Sequence, residues 1–184
     1  MRVLGAILAG GRSSRFGGDK ALAMIDGDTL FGHALAALSA RADAVVSCGR
    51  PWPGVEAIAD RPHAGGPLAG LNAALAHGRA RGFDAVLCVP IDVYPVAAAL
   101  DRIGTRPRAV LRTQWTVGLW PVALAPALDR HLASGARSMR GWLTVSAPAI
   151  IEDRDLGLRN INHAGDLDPP AARPAFDRGQ FPRR

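Results

Sequence analysis

The sequence predicts an α/β fold with a mostly parallel central sheet covered by helices. Two observations support this prediction. Short, continuously apolar runs, such as Val3 to Leu8 and Ala85 to Val89, have the length and composition of strands buried on both faces. Between such runs, apolar residues recur at helical spacing. Strands alternating with helices favour a parallel sheet, because each crossover returns the chain to the same end of the sheet.

The first apolar run leads directly into a glycine-rich loop that carries basic residues. Four glycines occupy positions 10, 11, 17 and 18, and Arg12, Arg15 and Lys20 supply positive charge. Glycine allows the backbone to turn with positive φ and to bring its N–H groups close to an anion. We therefore interpret this stretch as a phosphate-binding loop, with an ordinary glycine-rich turn as the alternative.

Neither of two well-known glycine signatures fits this loop. A Walker loop requires Gly-Lys-Ser/Thr, but Asp19 separates Gly18 from Lys20, and an alanine follows the lysine. A dinucleotide-binding fingerprint requires Gly-x-Gly-x-x-Gly at the start of a helix, and the loop lacks that spacing. The loop thus predicts phosphate binding of a different kind.

Lys20 is the only lysine in the chain. Lysine and arginine together number 22, so the remaining 21 are arginine. In a chain so rich in arginine, we expect arginine at every position that requires only a positive charge. Lysine is a compact point charge on a flexible stem, whereas arginine is a planar fork. The position of the single lysine at the end of the glycine-rich loop therefore favours a specific contact with phosphate.

The elements after the loop continue the α/β pattern. Asp28 or Thr29 can cap a helix whose apolar residues recur to about Arg41, and 44–48 and 56–59 have the character of strands. A second glycine-rich loop, 60–70, runs into a helix that extends to about Arg81, with Pro67 near its first turn, where proline is tolerated.

The remainder of the chain is less regular. We predict strands at 109–113, 116–120 and 149–151, and short helices at 127–134 and 138–144. We expect residues 1–167 to form one domain. From 168 to 184 there are four prolines and no periodicity, which predicts a disordered tail.

Polar residues follow the predicted strands at positions where ligands bind in open α/β sheets. Gly10, Asp60 and Asp92 each lie just beyond a strand, so we expect them to converge on one crevice at the carboxyl edge of the sheet. Asp92 follows an apolar strand, and a magnesium ion shared with phosphate oxygens is a natural partner for such a carboxylate. The alternative for both aspartates is a turn-forming or capping role.

Composition restricts the class of ligand and the location. The formal net charge is +6, but the arginines are scattered and aromatic residues make up only 5% of the chain, which favours small phosphorylated ligands over nucleic acid. The longest uncharged stretch, 113–128, has 16 residues and two prolines, too few and too broken to span a bilayer. Cys48 and Cys88 have no partners at metal-site spacing and are expected to be buried. We expect a cytoplasmic protein that binds neither nucleic acid nor membranes.

Four motifs in order resemble the molybdenum cofactor guanylyltransferase (MobA-like) family. They are Leu-Ala-Gly-Gly-x-Ser-x-Arg-Phe-Gly-Gly-Asp-Lys at 8–20, Gly-Pro-Leu-Ala-Gly at 66–70, Pro-Ile-Asp at 90–92 and Asn-Ile-Asn-x-x-x-Asp-Leu at 160–167. The resemblance implies a Rossmann-like, three-layer nucleotidyltransferase fold and transfer of GMP from GTP, with Mg²⁺, to the phosphate of molybdopterin carrying molybdenum. It also implies recipient molybdoenzymes or their chaperones as partners.

The resemblance also implies roles for individual residues. Nucleotide binding is assigned to Leu8, Ala9, Gly10, Gly11, Lys20 and Asp60. Catalysis is assigned to Lys20, Arg15 and Asp92, with Asp92 as the magnesium ligand. Asn160 and Asn162 fall in the motif that the family places near the pterin.

Three departures from the family pattern leave alternatives open. Asp92-Val93-Tyr94-Pro95 replaces Asp-x-Pro, so the loop behind the metal ligand has an alternative direction. Ser47 stands where asparagine is common, and His163-Ala164-Gly165-Asp166 replaces Thr-Pro-Glu-Asp on the pterin side. A cytidylyltransferase of the same cofactor, a sugar-nucleotide pyrophosphorylase and a GTP-binding regulator without turnover are the competing functions. The Leu-Ala-Gly-Gly motif and the glycines of the second loop favour guanine.

Overall fold

The computed structural model describes residues 1–10, 16–59 and 66–168. The predictions made for Gly11, Arg15 and Asp60, and for the tail beyond 168, lie outside these residues. None of the helices in the described ranges is both long enough and apolar enough to cross a membrane.

Strands and helices alternate along most of the described chain. The strands are β1 (Val3–Leu8), β2 (Met24–Ile25), β3 (Asp28–Thr29), β4 (Ala44–Cys48), β5 (Glu56–Ile58), β6 (Ala85–Pro90), β7 (Val93–Tyr94), β8 (Ala109–Leu111), β9 (Gly118–Pro121), β10 (Ala149–Ile151) and β11 (Arg159–Asn160). The α-helices are α1 (Leu30–Ser39), α2 (Pro67–Ala80), α3 (Val96–Ile103), α4 (Ala125–Ala133) and α5 (Met139–Ser146).

Seven of these strands form the central sheet, in the order β10-β8-β9-β6-β1-β4-β5. Every neighbouring pair is parallel except those made by β9, which is antiparallel to both β6 and β8. The predicted α/β fold with a mostly parallel sheet is therefore confirmed. The orientation of β9 was not predicted, because a short apolar run has the same pattern in a parallel strand and in an antiparallel one.

The helices form layers on the two faces of the sheet. Residues of α1 and α3, such as Phe31 and Leu100, pack with Ile7 on one face. Residues of α2, α4 and α5, such as Leu71 and Trp142, pack with Leu4 on the other. All six residues of β1 are buried, as expected of a strand covered on both faces.

Local signals at several helix ends act as the sequence predicts. The Thr29 hydroxyl accepts a hydrogen bond from Gly32 N at 2.9 Å and caps α1. Pro67 is the first residue of α2, where its missing N–H costs nothing. The short helix predicted at 138–144 is present as α5, with Ser138 as its cap.

Helix α3 and two small antiparallel ladders were not predicted. The ladders pair β2 with β3 and β7 with β11. The second ladder joins residues 93–94 to residues 159–160, which are far apart in the chain. Its existence depends on tertiary contacts that local periodicity cannot reveal.

Gly118 permits the close approach of β9 to β8. A Cβ atom at this position would lie 2.7 Å from the carbonyl oxygen of Ala109 and 2.8 Å from Cγ1 of Val110. Both distances are shorter than real Cβ contacts, and a strand backbone oxygen cannot easily move away. The antiparallel pairing therefore requires glycine at this position.

Gly118→Ala should lower the free energy of unfolding by about 1–3 kcal/mol, because overpacking forces the two strands apart. Urea denaturation followed by circular dichroism measures the change. Gly165→Ala is the matched control, since its Cβ would meet no atom within 4 Å. Equal stability of the Gly118→Ala variant and the wild type would contradict the steric explanation.

Candidate active site

A cleft of about 380 Å³ lies at the carboxyl edge of the sheet. It is bordered by the ends of two adjacent parallel strands, the start of α2 and two later segments. The lining residues are Leu8, Ala9, Gly10, Lys20, Gly66, Pro67, Pro90, Ile91, Asp92, Gln114, Thr116 and Asn160. The predicted convergence of Gly10 and Asp92 on one crevice is therefore observed.

The sheet ladder places the two strand ends beside each other. Leu8 pairs with Cys48 on one side and with Pro90 on the other. Just beyond the strands, Ala9 N donates to Cys48 O at 3.0 Å and Ile91 N donates to Leu8 O at 3.4 Å. The backbone on both sides of the cleft is thus held by the sheet itself.

Lys20, Asp92 and Asn162 meet at this edge. Lys20 Nζ donates to Asp92 Oδ2 at 3.3 Å and to Asn162 Oδ1 at 3.2 Å. The Lys20 side chain is 12% exposed and that of Asp92 is 30% exposed. An ammonium has three donors, so the lysine retains one for a ligand. Within the described ranges, no donor contacts Oδ1 of Asp92, which leaves this oxygen for a cation.

The β7–β11 ladder brings the asparagine motif to Asp92. Asn160 pairs with Val93, and Ile161 N donates to the backbone oxygen of Asp92 at 2.8 Å. The Ile161 side chain is fully buried beside Ile25. Burial of this one apolar residue fixes the polar residues on both sides of it near the cleft.

The segment after Asn162 forms a tight turn despite its departure from the family pattern. Backbone N–H groups of Asn162 and His163 donate to Asp166 Oδ2 at 2.7 and 2.8 Å. These two hydrogen bonds, the one from His163 foremost, lower the pKa of Asp166. A carboxylate here therefore holds the turn that presents Asn162 to Lys20.

The Asp92-Val93-Tyr94-Pro95 stretch also has a defined place. Its two central residues form β7, and Tyr94 donates its hydroxyl to the carboxylate of Asp26. This hydrogen bond is the main reason that the pKa of Tyr94 is raised. Asp92 lines the cleft in this arrangement.

A second ion pair holds the segment just before Lys20. Asp19 accepts from Ala21 N at 3.1 Å and from both terminal nitrogens of the Arg50 guanidinium. Arg50 follows β4 and lies 5.8 Å from the ring of Trp52, which stacks on Phe31 at 4.0 Å. The end of the glycine-rich loop is thus tied to a rigid aromatic pair.

Comparison with known proteins identifies the family. Residues 5–149 match the MobA-like NTP transferase domain. The chain belongs to the MobA-like NTP transferase family. A molybdenum cofactor guanylyltransferase from Acidiphilium cryptum (strain JF-5) is 36% identical over 182 residues, covering 90% of this chain and 92% of the relative. A probable molybdenum cofactor guanylyltransferase from Rhodopirellula baltica is 32% identical over 192 residues, covering 91% of each chain.

The fold is also that of a solved structure. Molybdopterin-guanine dinucleotide biosynthesis protein A from Archaeoglobus fulgidus is 22% identical and superimposes with a TM-score of 0.65, covering 89% of this chain and 94% of that chain. The nucleotidyltransferase fold expected from the resemblance is confirmed.

Within the family fold, the residues that the sequence singled out divide into two groups. Leu8, Ala9, Gly10, Lys20, Asp92 and Asn160 line the cleft, and Asn162 contacts Lys20. Gly11, Arg15 and Asp60 lie outside the described residues. Within the described part of the chain, no three His, Cys, Asp or Glu side chains cluster closely enough to hold a metal ion. The metal assignment therefore depends on Asp92.

Sequence reasoning missed Arg50, Gln114 and Thr116. Arg50 lies 31 positions from its partner Asp19, and arginine is too common in this chain to stand out. Gln114 and Thr116 belong to a segment that reaches the cleft because β9 is antiparallel. The only signal in the sequence that could have drawn attention to Gln114 and Thr116 was the presence of polar residues between two short apolar runs.

The Arg50 guanidinium lowers the pKa of Asp19 below its ordinary value of 3.8, through the side-chain hydrogen bonds first and the charge second. A carboxyl whose pKa is lowered by folding stabilises the fold above pH 3.8, and this stabilisation is lost as the pH falls through the lowered value. Arg50→Gln should therefore raise the pKa of Asp19 towards 3.8, as measured by NMR titration of the side-chain carboxyl.

The exposed Arg79→Gln substitution in the last turn of α2 is the matched control, and it should leave the titration of Asp19 unchanged. If Asp19 titrates at the same pH in the Arg50→Gln variant and in the wild type, the ion pair is not formed in solution.

Proposed function

We propose that this protein transfers GMP from GTP to the phosphate of molybdopterin carrying molybdenum, forming the guanine dinucleotide form of the cofactor and pyrophosphate. The observation that carries the proposal is the meeting of Lys20, Asp92 and Asn162 at one cleft of a MobA-like fold. Relatives that are named molybdenum cofactor guanylyltransferase match about nine-tenths of the chain, which supports the choice of reaction.

GTP binding is assigned to the glycine-rich side of the cleft. Leu8 ends β1, and Ala9 and Gly10 follow it, so that the backbone of these three residues lines the cleft where a nucleotide would bind. Gly66 and Pro67 stand at the N-terminus of α2, where the positive end of the helix dipole favours an anion. Gly11 and Asp60 complete the nucleotide site in this proposal.

Asp92 is the proposed ligand of a divalent cation, with Mg²⁺ as the expected ion. Magnesium commonly binds one or two carboxylates and completes its shell with phosphate oxygens and water. A single carboxylate with an uncommitted oxygen, facing a phosphate-binding cleft, fits that preference. The bound ion would supply positive charge next to the phosphates.

The reaction needs no covalent nucleophile on the protein. An oxygen of the acceptor phosphate attacks the α-phosphorus of GTP, and the bond to the bridging oxygen of pyrophosphate breaks. Positioning and neutralisation of charge supply most of the rate in such transfers. Lys20, which lines the cleft, is proposed to stabilise the charge that develops on pyrophosphate, and the same role is proposed for Arg15.

The asparagine motif is assigned to the acceptor. Asn160 is exposed at the lining of the cleft, and Asn162 orients the Lys20 ammonium through its side-chain oxygen. Recipient molybdoenzymes or their chaperones would take up the product in this proposal.

The test of the proposal is the mass of the product made from molybdenum-bearing molybdopterin with GTP, CTP and ATP at equal concentration. The guanine dinucleotide should predominate, because a site that hydrogen-bonds guanine leaves polar groups unpaired with cytosine, at a cost in selectivity on the order of 10⁴. Mainly cytidine dinucleotide would make the protein a cytidylyltransferase. GTP binding without pyrophosphate release would make it a regulator.

Asp92→Asn should lower kcat for guanylyl transfer by about 10² or more, because it removes a preorganised charge from the site. Pyrophosphate release measures the rate, and circular dichroism checks the fold. Asp101→Asn, at an exposed carboxylate paired with Arg41, is the matched control. Near-normal turnover in a folded Asp92→Asn variant would remove Asp92 from the mechanism.

A further inference from the structure

Residues 112–117 form a part of the cleft to which no role is assigned above. This segment connects β8 to β9 and contributes Gln114 and Thr116 to the lining. In the sheet, β9 lies beside β6 on the side away from β1. The 112–117 segment and Gly10, which follows β1, therefore lie on two sides of Asp92.

The antiparallel direction of β9 places the 112–117 segment in the cleft. β8 runs parallel to β10, and β9 runs back beside it. The connection between them therefore crosses at the carboxyl edge of the sheet. A parallel strand in the position of β9 would have left this edge by a long crossover instead.

A buried carboxylate fixes the start of the segment. Asp153 is 1% exposed and accepts from Thr113 N at 3.1 Å to Oδ1 and 3.2 Å to Oδ2, and from Thr113 Oγ1 at 2.7 Å to Oδ2. Burying a carboxylate is costly unless donors satisfy it. These contacts therefore hold both the Asp153 side chain and the backbone of Thr113 in place.

The rest of the segment is held through its backbone. Gln114 O accepts from Val117 N at 2.9 Å, and Thr116 O accepts from the Cys88 thiol at 3.2 Å. The side chains of Gln114 and Thr116 are half-buried and make no hydrogen bond to other described residues. The segment is thus rigid, while one amide and one hydroxyl remain available at the cleft.

We propose that Gln114 and Thr116 bind the acceptor, a phosphate-bearing polar heterocycle, and that Asp153 is the residue that positions them. This inference depends on the function proposed above. The nucleotide is assigned to the loops at β1 and α2, so the opposite side of Asp92 is left for the second substrate. An amide and a hydroxyl can donate to phosphate oxygens and to the polar edge of a ring without adding charge.

The test compares KM for the acceptor with KM for GTP. Gln114→Ala should raise the acceptor KM by about 3- to 10-fold, as expected for one lost neutral hydrogen bond. Gln114→Glu should raise it further, because a carboxylate repels the acceptor phosphate. In both variants KM for GTP should stay within about twofold of the wild-type value, as for a position that does not touch the nucleotide.

Asp153→Asn should show the same acceptor-specific rise, because an amide N–H₂ group would oppose the donors of Thr113. If burial of the new amide prevents folding, the half-buried Gln114 position still carries the test. Asp155→Asn is the matched control, since this exposed carboxylate two residues later pairs with Arg102. Trp115→Phe is the control within the segment, because Trp115 lines a separate surface pocket with Arg140.

Three outcomes decide the inference. An acceptor-specific change in the Gln114 variants with unchanged controls supports it. A rise in KM for GTP would make Gln114 a nucleotide contact and overturn it, and no change in either KM would also overturn it. If the wild type forms no dinucleotide, the proposed function fails. Direct titration of the acceptor into wild-type and Gln114→Glu protein then decides whether Gln114 contacts the acceptor.

Discussion

The parallel pairing of β1 with β4 and β6 is the constraint on which the site depends. β1 is buried along its whole length, so its apolar side chains anchor it between two helical layers and fix its register. Parallel strands end at the same edge, and the chain leaves these three strands at Ala9, Gly49 and Ile91. Gly10 and Asp92 therefore reach one crevice although they are far apart in the sequence, and Arg50 lies near enough to bind Asp19, next to Lys20. A shift in register would separate Lys20 from Asp92.

Two antiparallel elements complete the crevice that the parallel strands begin. β9 returns beside β6 and carries the 112–117 segment to the carboxyl edge. The β7–β11 ladder brings Asn160 and Asn162 to the same edge, and the burial of the Ile161 side chain stabilises the position of that ladder. The site thus combines a buried parallel core, which supplies alignment, with short antiparallel additions, which supply polar side chains. β9 and the β7–β11 ladder carry the residues that are proposed to contact the second substrate.

Carboxylates around the rim of the cleft hold the surrounding loops in place and leave the cleft itself open. Asp19 and Arg50 hold the end of the glycine-rich loop, and Asp166 holds the turn behind Asn162. Asp153 holds the opposite side through Thr113. In each case a carboxylate accepts several donors, which lowers the freedom of the backbone before a ligand binds. Such preorganisation is valuable for phosphoryl-type transfer, where the protein contributes mainly position and charge.

The sequence by itself predicted the seven strands of the central sheet, four of the five α-helices and a cap at Thr29, and it singled out Lys20 and Asp92. These features are written in local patterns: apolar runs, helical spacing, glycine density and a polar residue at the end of a strand. Only the tertiary structure decided the direction of β9, the β7–β11 ladder and the roles of Arg50, Gln114 and Asp153. Asp153 and Thr113 lie 40 positions apart, and neither is unusual in its local context. Their contact arises because β8 and β10 end at one edge, and relative strand direction is a property of the packed sheet that no short stretch of sequence encodes.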